Sequence, residues 1–592
     1  MPQPNQPQWN RSTVTNGDIE LAVFELGGSE KKKPTVVLVH GWPDTHHLWD
    51  LVAPTLGESF RVISYDTRGY GESSRPDAVE AYRLENLAAD LFAVIDAVGG
   101  GKPVHVVAHD WGSVQTWEAV TTPGADERIA SFTSVSGPNL DYLGEWARKN
   151  VAHPTPGNLG RALSQAASSA YTAFFQLPVL PKAFFNTFGS ERNWTEFLHA
   201  IEGTPRENVS FSPTLREDMV SGLRFYSANI REKLAHPDPH PTTVPTLEIV
   251  NETDIALRPA IYADDHTHTD RLWRKNTRTG HWLPYTHPDY LAESAREFIT
   301  MIEKGTSSAP NTIDRARVLD APGKLGGKLA VITGAGSGIG RETAYALADL
   351  GCEVVLADIN RAAAEETAVE CKAKGVLTDV YELDVSDVKA VTRFAADVRA
   401  AHGVPDIVVN NAGIAVAGSA LAASDEQIDR LFGINLRGVI TGSRVFGQQM
   451  VERGVGGQIV NVSSAAAFTP SRDLGLYSSS KAGVLMFSES LRAELAEHKI
   501  GVTAICPGIV HTNITSSTEL AGVSDEEGQR KKLDSFYAKR NFTPDRVAQD
   551  IVTSILRNKA VVPVTPEAKF GYRAYRFFPW GSRIAARQKL TK

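Results

Sequence analysis

A chain of 592 residues with 42% hydrophobic and 22% charged content is ordinary globular material, long enough for several domains. A net charge of -8 argues against nucleic acid as a partner, because phosphate backbones call for a strongly basic face, and leaves small molecules as the expected ligands. Residues 1–10 lack a basic-then-apolar leader pattern, and no apolar run is long enough to span a bilayer. The three widely spaced cysteines, Cys352, Cys371 and Cys506, have no metal-ligand spacing; reduced thiols in a cytoplasmic protein without a metal are expected.

Two segments alternate strand-like and helix-like patterns, so the fold class is α/β in both, and their differing turn fingerprints rule out an internal repeat. The polar stretch Lys304–Asn311 separates them, giving a first domain over 1–303, a linker over 304–324 and a second domain over 325–592. Residues 139–242 lose the short apolar strands and become rich in aromatics and proline, which reads as a lid inserted into the first domain.

In chain order, the β-rich run Pro34–Val39 empties into His40-Gly41-Trp42-Pro43, a tight turn whose backbone N–H is placed to stabilise an oxyanion. Phe60–Tyr65 is another strand, followed by the charged, glycine-punctuated loop Asp66–Ser73, which is read as structural. Val104–Ala108 then leads to Asp110, which lies between the small residues Ala108 and Gly112 where a helix begins. That is either the nucleophile elbow with aspartate in place of serine or an acidic helix cap. Val244–Val250 is a strand ending near Asp254, and His281 follows in Gly280-His281-Trp282. Nucleophile, acid, histidine is the chain order of α/β-hydrolases.

Taken together, His-Gly-Trp-Pro, His-Asp-Trp-Gly and the late Gly-His-Trp resemble the epoxide hydrolase branch of the α/β-hydrolase superfamily, over residues 1–303. The resemblance implies an α/β-hydrolase fold with a helical lid and a triad of Asp110, Asp254 and His281. It also implies that the N–H groups of Trp42 and Trp111 form the oxyanion hole. A carboxylate nucleophile suits displacement at saturated carbon, giving an alkyl ester that water activated by His281 then hydrolyses. An epoxide leaves as an alkoxide and needs a proton, whereas a halide does not; the alternative is a haloalkane dehalogenase, and Trp111 does not discriminate between them. Two lid tyrosines supply the proton in epoxide hydrolases. Tyr171 (Tyr-x-x-x-Phe-Gln-x-Pro) and Tyr226 (Phe-Tyr-Ser-Ala-Asn) resemble those positions, although the family usually carries arginine near Ser227. An apolar, lipid-like epoxide is the expected substrate, with no cofactor in this domain. His46-His47 and Asp264–His268 read as polar loops rather than metal sites, and His109 as a buried structural group.

In the second half, strand Lys328–Ile332 opens into Thr333-Gly334-Ala335-Gly336-Ser337-Gly338-Ile339-Gly340 and a helical pattern ending near Leu350. Such glycines let backbone approach a pyrophosphate at a helix N-terminus, as in a Rossmann-type doubly wound parallel sheet. The next strand, Glu353–Ala357, ends in Asp358, placed for the ribose hydroxyls and repelling a 2'-phosphate; NAD is therefore favoured over NADP. Asp384-Val385, then Asn410-Asn411-Ala412-Gly413 after strand Asp406–Val409, then Tyr477-Ser-Ser-Ser-Lys481 complete a set that resembles the short-chain dehydrogenase/reductase family. On a helix Tyr477 and Lys481 lie one turn apart, and the ammonium favours the tyrosinate.

That resemblance implies that Ser464 (or Ser463) holds the substrate carbonyl or hydroxyl and Asn435 a relay water. Gly334, Ser337, Gly338, Ile339, Gly340, Asp358, Asp384, Val385, Asn411, Tyr477, Lys481 and Thr512 would line the cofactor. It also implies self-association through this domain. The tail, Pro566–Lys592, holds seven basic residues, one acid and six aromatics, a mix suited to an anionic membrane surface or to packing on a partner subunit or on the domain itself. The expectation for the whole chain is an epoxide hydrolase fused to an NAD-dependent oxidoreductase acting on a hydroxyl or carbonyl. A catalytically silent scaffold is the alternative, and the complete acid/base sets argue against it.

Overall fold

The β-rich runs build the strands of two sheets, one mostly and one wholly parallel. They are seen in a computed structural model that describes residues 7–27, 32–306, 310, 312–318, 323–510, 518–522, 528 and 542–587. The chain divides into two compact units, Met1–Ser308 with Ala316–Asp320, and Ala309–Arg315 with Ala321–Lys592.

In the N-terminal unit the described residues form β1 (Trp9–Asn16), β2 (Ile19–Leu26), β3 (Thr35–Val39), β4 (Arg61–Tyr65), β5 (Val104–His109), β6 (Ile129–Val135), β7 (Thr246–Asn251) and β8 (Leu272–Thr277). Their order is β1-β2-β4-β3-β5-β6-β7-β8; β1 pairs antiparallel with β2 and β2 with β4, and the remaining pairs are parallel. β3 and β5 are covered on both faces, so their residues read as near-continuous apolar runs rather than alternating ones. Between β6 and β7 the chain leaves the sheet for helices Leu140–Ala152, Pro156–Ser168, Ala170–Phe175, Leu180–Phe188, Glu191–Glu202 and Leu215–Ala235, which occupy the segment read as a lid. The last of these helices is fastened to the core. Asp218 accepts the Gly71 N–H at 3.0 Å and an Arg75 N–H at 2.7 Å.

In the C-terminal unit the strands are β9 (Leu329–Thr333), β10 (Glu353–Asp358), β11 (Thr378–Glu382), β12 (Ile407–Asn410), β13 (Val416–Gly418), β14 (Gly457–Val462), β15 (Ile500–Cys506), β16 (Glu519–Ala521) and β17 (Val561–Pro563). Seven form a parallel sheet in the order β11-β10-β9-β12-β14-β15-β17, and β13 pairs with β16. Strand order reverses between β9 and β12, and the loops after these two strands open the crevice where such sheets bind ligands.

Arg315 donates to Glu353 and to the His402 carbonyl in the C-terminal unit, and Arg317 stacks on Trp273 at 4.2 Å in the N-terminal one. His46 departs from the expected polar loop: it is buried, stacked on Phe24 at 3.5 Å and bonded to Asp66. Among the described residues, no helix is long and apolar enough to cross a membrane, no metal-binding cluster is found, and the three cysteines are free and buried.

Candidate active sites

At the end of β5, Asp110 sits at φ 51, ψ -125, a left-handed conformation forced by the abrupt change from strand to the helix Trp111–Val120. The turn closes only because its neighbours are small: a Cβ on Gly112 would lie 2.3 Å from the Val39 carbonyl oxygen, and one on Gly41 2.5 Å from Asp110 Oδ2. The Trp42 N–H donates to Asp110 Oδ2 at 2.8 Å, and the Trp111 N–H also bonds this carboxylate. His281 Nε2 lies 3.4 Å from Asp110 Oδ1, while its Nδ1 is 2.8 Å from Asp254 Oδ2. Asp254 Oδ1 in turn accepts the Ala256 and Leu257 N–H groups, fixing the acid in its loop after β7.

The electrostatics follow from burial and pairing. Burial disfavours the Asp110 carboxylate, but His281, His109 and the Trp111 N–H outweigh it and hold its pKa below the ordinary value. Burial likewise opposes a charged His281, yet the charge of Asp254 and the bonds to Asp110 and Asp254 hold it well above the usual histidine range. His109 is a structural group: burial takes it down to about 4, and its Nε2 bonds the His281 carbonyl.

Tyr226 is 3% exposed and packs on Trp111 at 4.9 Å and on Trp42 at 6.4 Å, and its hydroxyl interacts with the Trp111 side chain. Tyr171, 36% exposed, lies 6.1 Å from Tyr226 ring to ring and hydrogen-bonds it. Burial, then the charge of Asp110, raises the pKa of Tyr171; burial and the two neighbours Tyr171 and Asp110 raise that of Tyr226, so both stay protonated. Phe175, Phe185, Trp194 and Trp42 complete an aromatic wall. All seven residues expected of this site therefore meet around Asp110.

Three residues of the site have no signal in the sequence. Asp44 accepts from Tyr285 and Trp282, and burial pushes its carboxyl up to about 7. Glu202 and Gln165 of the lid bond the loops that carry His281 and Asp254. Each joins segments far apart in the chain, and no local pattern announces such a pairing.

In the C-terminal unit Gly334 (φ 65) and Gly338 (φ 53) turn β9 into the helix Gly338–Ala348, and a Cβ on Gly340 would lie 2.1 Å from the Gly334 carbonyl oxygen. Asp358, at the end of β10, accepts the Gly336 N–H at 2.8 Å beside a polar cleft of about 570 Å³ that Ser337, Gly338 and Asn360 also line. Ile339 packs on the core next to this turn. The backbone-lined cradle and the acid beside it fit a dinucleotide. Asn411 donates its amide to the Thr333 and Gly334 carbonyls, holding the turn, and Asp384 caps Ser386. Val385 packs over Gly438, where a Cβ would come within 3.2 Å of it. Thr512 lies outside the described residues.

On the helix Gly475–Glu494, Lys481 Nζ lies 5.9 Å from the Tyr477 ring centroid and donates to the Val462 carbonyl at 3.0 Å. Burial lowers the pKa of this ammonium to about 8. Asn435 sits in a π-helical turn, Gly433–Gly438, with its side chain bonded to both the N–H and the carbonyl of Ile414. Ser463 is committed to the Lys481 carbonyl at 2.8 Å, whereas the Ser464 hydroxyl reaches the Pro507 carbonyl only at 3.5 Å, so Ser464 is the better placed of the two for a ligand.

Family models match the two units: an alpha/beta hydrolase fold over residues 34–187 and a short chain dehydrogenase over 328–521. The probable oxidoreductase EphD of Mycobacterium tuberculosis is 42% identical over 99% of this chain and 100% of its own length. The chain belongs to the EphD family. It is accordingly an enzyme in which a hydrolase-fold domain is fused to a short-chain dehydrogenase domain, with small-molecule substrates and a nicotinamide cofactor in the latter. The dehydrogenase domain alone resembles the short chain dehydrogenase/reductase astE of Aspergillus oryzae, at 36% identity over 38% of this chain and 87% of that protein. A short-chain dehydrogenase from Burkholderia phymatum solved with NAD aligns at 27% identity and a TM-score of 0.41, over 45% of this chain and 98% of its own.

Proposed function

We propose that the N-terminal domain opens an apolar epoxide to a diol through an ester of Asp110, and that the C-terminal domain oxidises a hydroxyl or reduces a carbonyl with NAD. The pairing of Tyr171 with Tyr226 next to Asp110 carries the first half. Asp110 attacks an epoxide carbon, the C–O bond breaks, and the alkoxide takes a proton from this tyrosine pair. Water then adds to the acyl carbon of Asp110 as its proton passes to His281, with the N–H groups of Trp42 and Trp111 on the developing oxyanion. Asp254 orients His281 and supports its charge.

A haloalkane dehalogenase is the competing reading, and the tyrosine pair beside Asp110 weighs against it, because a halide leaves without needing a proton donor. Tyr171→Phe combined with Tyr226→Phe is expected to abolish diol formation from styrene oxide while Asp110 stays in place. Retained epoxide turnover, or bromide release from 1-bromobutane by the wild type in place of epoxide opening, contradicts the reading.

In the second domain the nicotinamide supplies hydride exchange when bound. Tyr477 moves a proton at the substrate oxygen, Lys481 lowers the cost of its charged form, and Ser464 holds that oxygen. Asp358 favours NAD, since a 2'-phosphate beside it meets a carboxylate. The tail helices Pro566–Phe577 and Pro579–Ala585 expose Phe570, Phe577, Phe578 and Trp580 beside the exposed cations Lys569, Arg573 and Arg576, and this surface is proposed to rest on an anionic bilayer.

A further inference from the structure

The backbone of His281 is held from two sides. Its carbonyl accepts His109 Nε2 at 2.9 Å, from the end of β5, and Ser136 Oγ at 3.1 Å, just after β6. Its N–H instead donates to Glu202 Oε1 at 2.5 Å, and the N–H of Trp282 donates to the other oxygen of that carboxylate at 3.0 Å. Glu202 is the last residue of the lid helix Glu191–Glu202, which Gly203 stops at φ 71, so this grip comes from the lid. Gly280 makes room for it: a Cβ there would lie 2.3 Å from the Glu202 carboxyl carbon.

The acid loop is held in the same way. Gln165, buried on the lid helix Pro156–Ser168, accepts the Arg258 N–H at 2.8 Å and donates to the Ala256 carbonyl at 3.0 Å, within the loop whose N–H groups hold Asp254. Two adjacent amides on one half-buried carboxylate form charge-assisted bonds, and lifting the lid would take that partner from both N–H groups.

We infer that Glu202 is a positioning residue for His281, so that seating the lid completes the hydrolytic half of the hydrolase site. The inference rests on the ester mechanism proposed for Asp110. In that mechanism ester formation uses Asp110 and the two tyrosines; once Asp110 is a neutral ester, His281 releases its Nε2 proton to solvent and is the neutral base that the second step needs. In the second step water gives a proton to His281 Nε2 while its oxygen bonds to the acyl carbon. The bond from that carbon to the diol oxygen breaks, His281 returns the proton to the diol, and the second proton of the water passes from the regenerated acid to the tyrosine pair that gave one up in the first step, so that Asp110 is again a carboxylate. A misplaced His281 therefore slows only the second step. Burial raises the Glu202 pKa, while the charge of His281 and the two N–H groups oppose it, as for a carboxylate that faces these partners.

The test is single-turnover mixing of the full chain with styrene oxide, following the Asp110 adduct by mass and the diol by chromatography. In Glu202→Ala the adduct is expected to form within about twofold of the wild-type rate and to decay at least about tenfold more slowly, since a displacement of about 1 Å costs on the order of a hundredfold. Glu202→Gln, which keeps one acceptor oxygen and turns an NH2 toward the other amide, falls between. Gly280→Ala, which displaces the carboxylate without changing the lid sequence, gives the same accumulation. Unchanged decay in both Glu202→Ala and Gly280→Ala overturns the inference, as does an equal fall in formation and decay, the mark of a merely structural role. If the wild type itself makes diol with no adduct, the ester mechanism fails and the inference falls with it; an adduct in the wild type with no slowing in the variants removes Glu202 alone.

Discussion

Asp110 and His281 hold each other charged, and the reaction breaks that arrangement at a useful moment. In the proposed mechanism alkylation would turn Asp110 into a neutral ester, removing one of the two carboxylates that keep His281 protonated against its burial. The imidazole can then shed its proton, so the neutral form able to act as a base is present just as a water needs activating. Asp110→Asn mimics the neutral ester. Its His281 pKa, followed by imidazole NMR, is expected to fall relative to the wild type, and an unchanged value would contradict the account. The stability linkage has a definite sign. The raised His281 pKa contributes stability below the ordinary histidine value that is lost as pH rises through the raised one. The lowered Asp110 pKa contributes stability above the ordinary carboxylate value that is lost as pH falls through the lowered one. Between those limits both contributions are present, and Asp110→Asn should reduce the thermal stability most in that window.

The glycine turns are the elements on which both sites depend, and they can be tested without touching a reacting group. Gly340→Ala would press a methyl group against the Gly334 carbonyl oxygen, 2.1 Å away, where neither backbone can yield without opening the cradle. The expected loss is about 1–3 kcal/mol of stability by denaturant titration, with weaker NAD binding by calorimetry; wild-type affinity would show that the cradle has slack. These elements were also the legible ones. A strand running into Gly-Trp-Pro, into an acid between small residues, or into Gly-x-x-x-Gly-x-Gly is a local pattern, and so is the four-residue spacing of Tyr477 and Lys481. What the sequence hid is long-range. Asn411 spends its amide on the Gly334 turn, Ser463 on the Lys481 backbone and His46 on Asp66, leaving them other tasks than their motifs suggest. Glu202 and Asp44 are lone acids whose partners lie at the far end of the hydrolase domain.

At the scale of the whole molecule, one chain carries two candidate acid/base sets, and under the proposed function their fusion would serve a shared lipophilic substrate whose diol is oxidised, or whose carbonyl is reduced, in the second domain. The exposed aromatic and basic tail fits such a substrate, because it offers a surface that anionic lipid would bind. Phe577→Ser with Trp580→Ser is expected to weaken co-sedimentation with phosphatidylglycerol-containing vesicles while sparing both activities. Vesicle binding that survives the change, or a change in oligomeric state in its place, would assign the tail elsewhere. All of this stands on Asp110 as a nucleophile, and one measurement addresses that directly: a single turnover of styrene oxide in water enriched in oxygen-18, with enzyme in excess. Nucleophilic Asp110 predicts that the first diol carries the unlabelled carboxylate oxygen while the Asp110 peptide gains the label; label in the first diol and none in that peptide would contradict it.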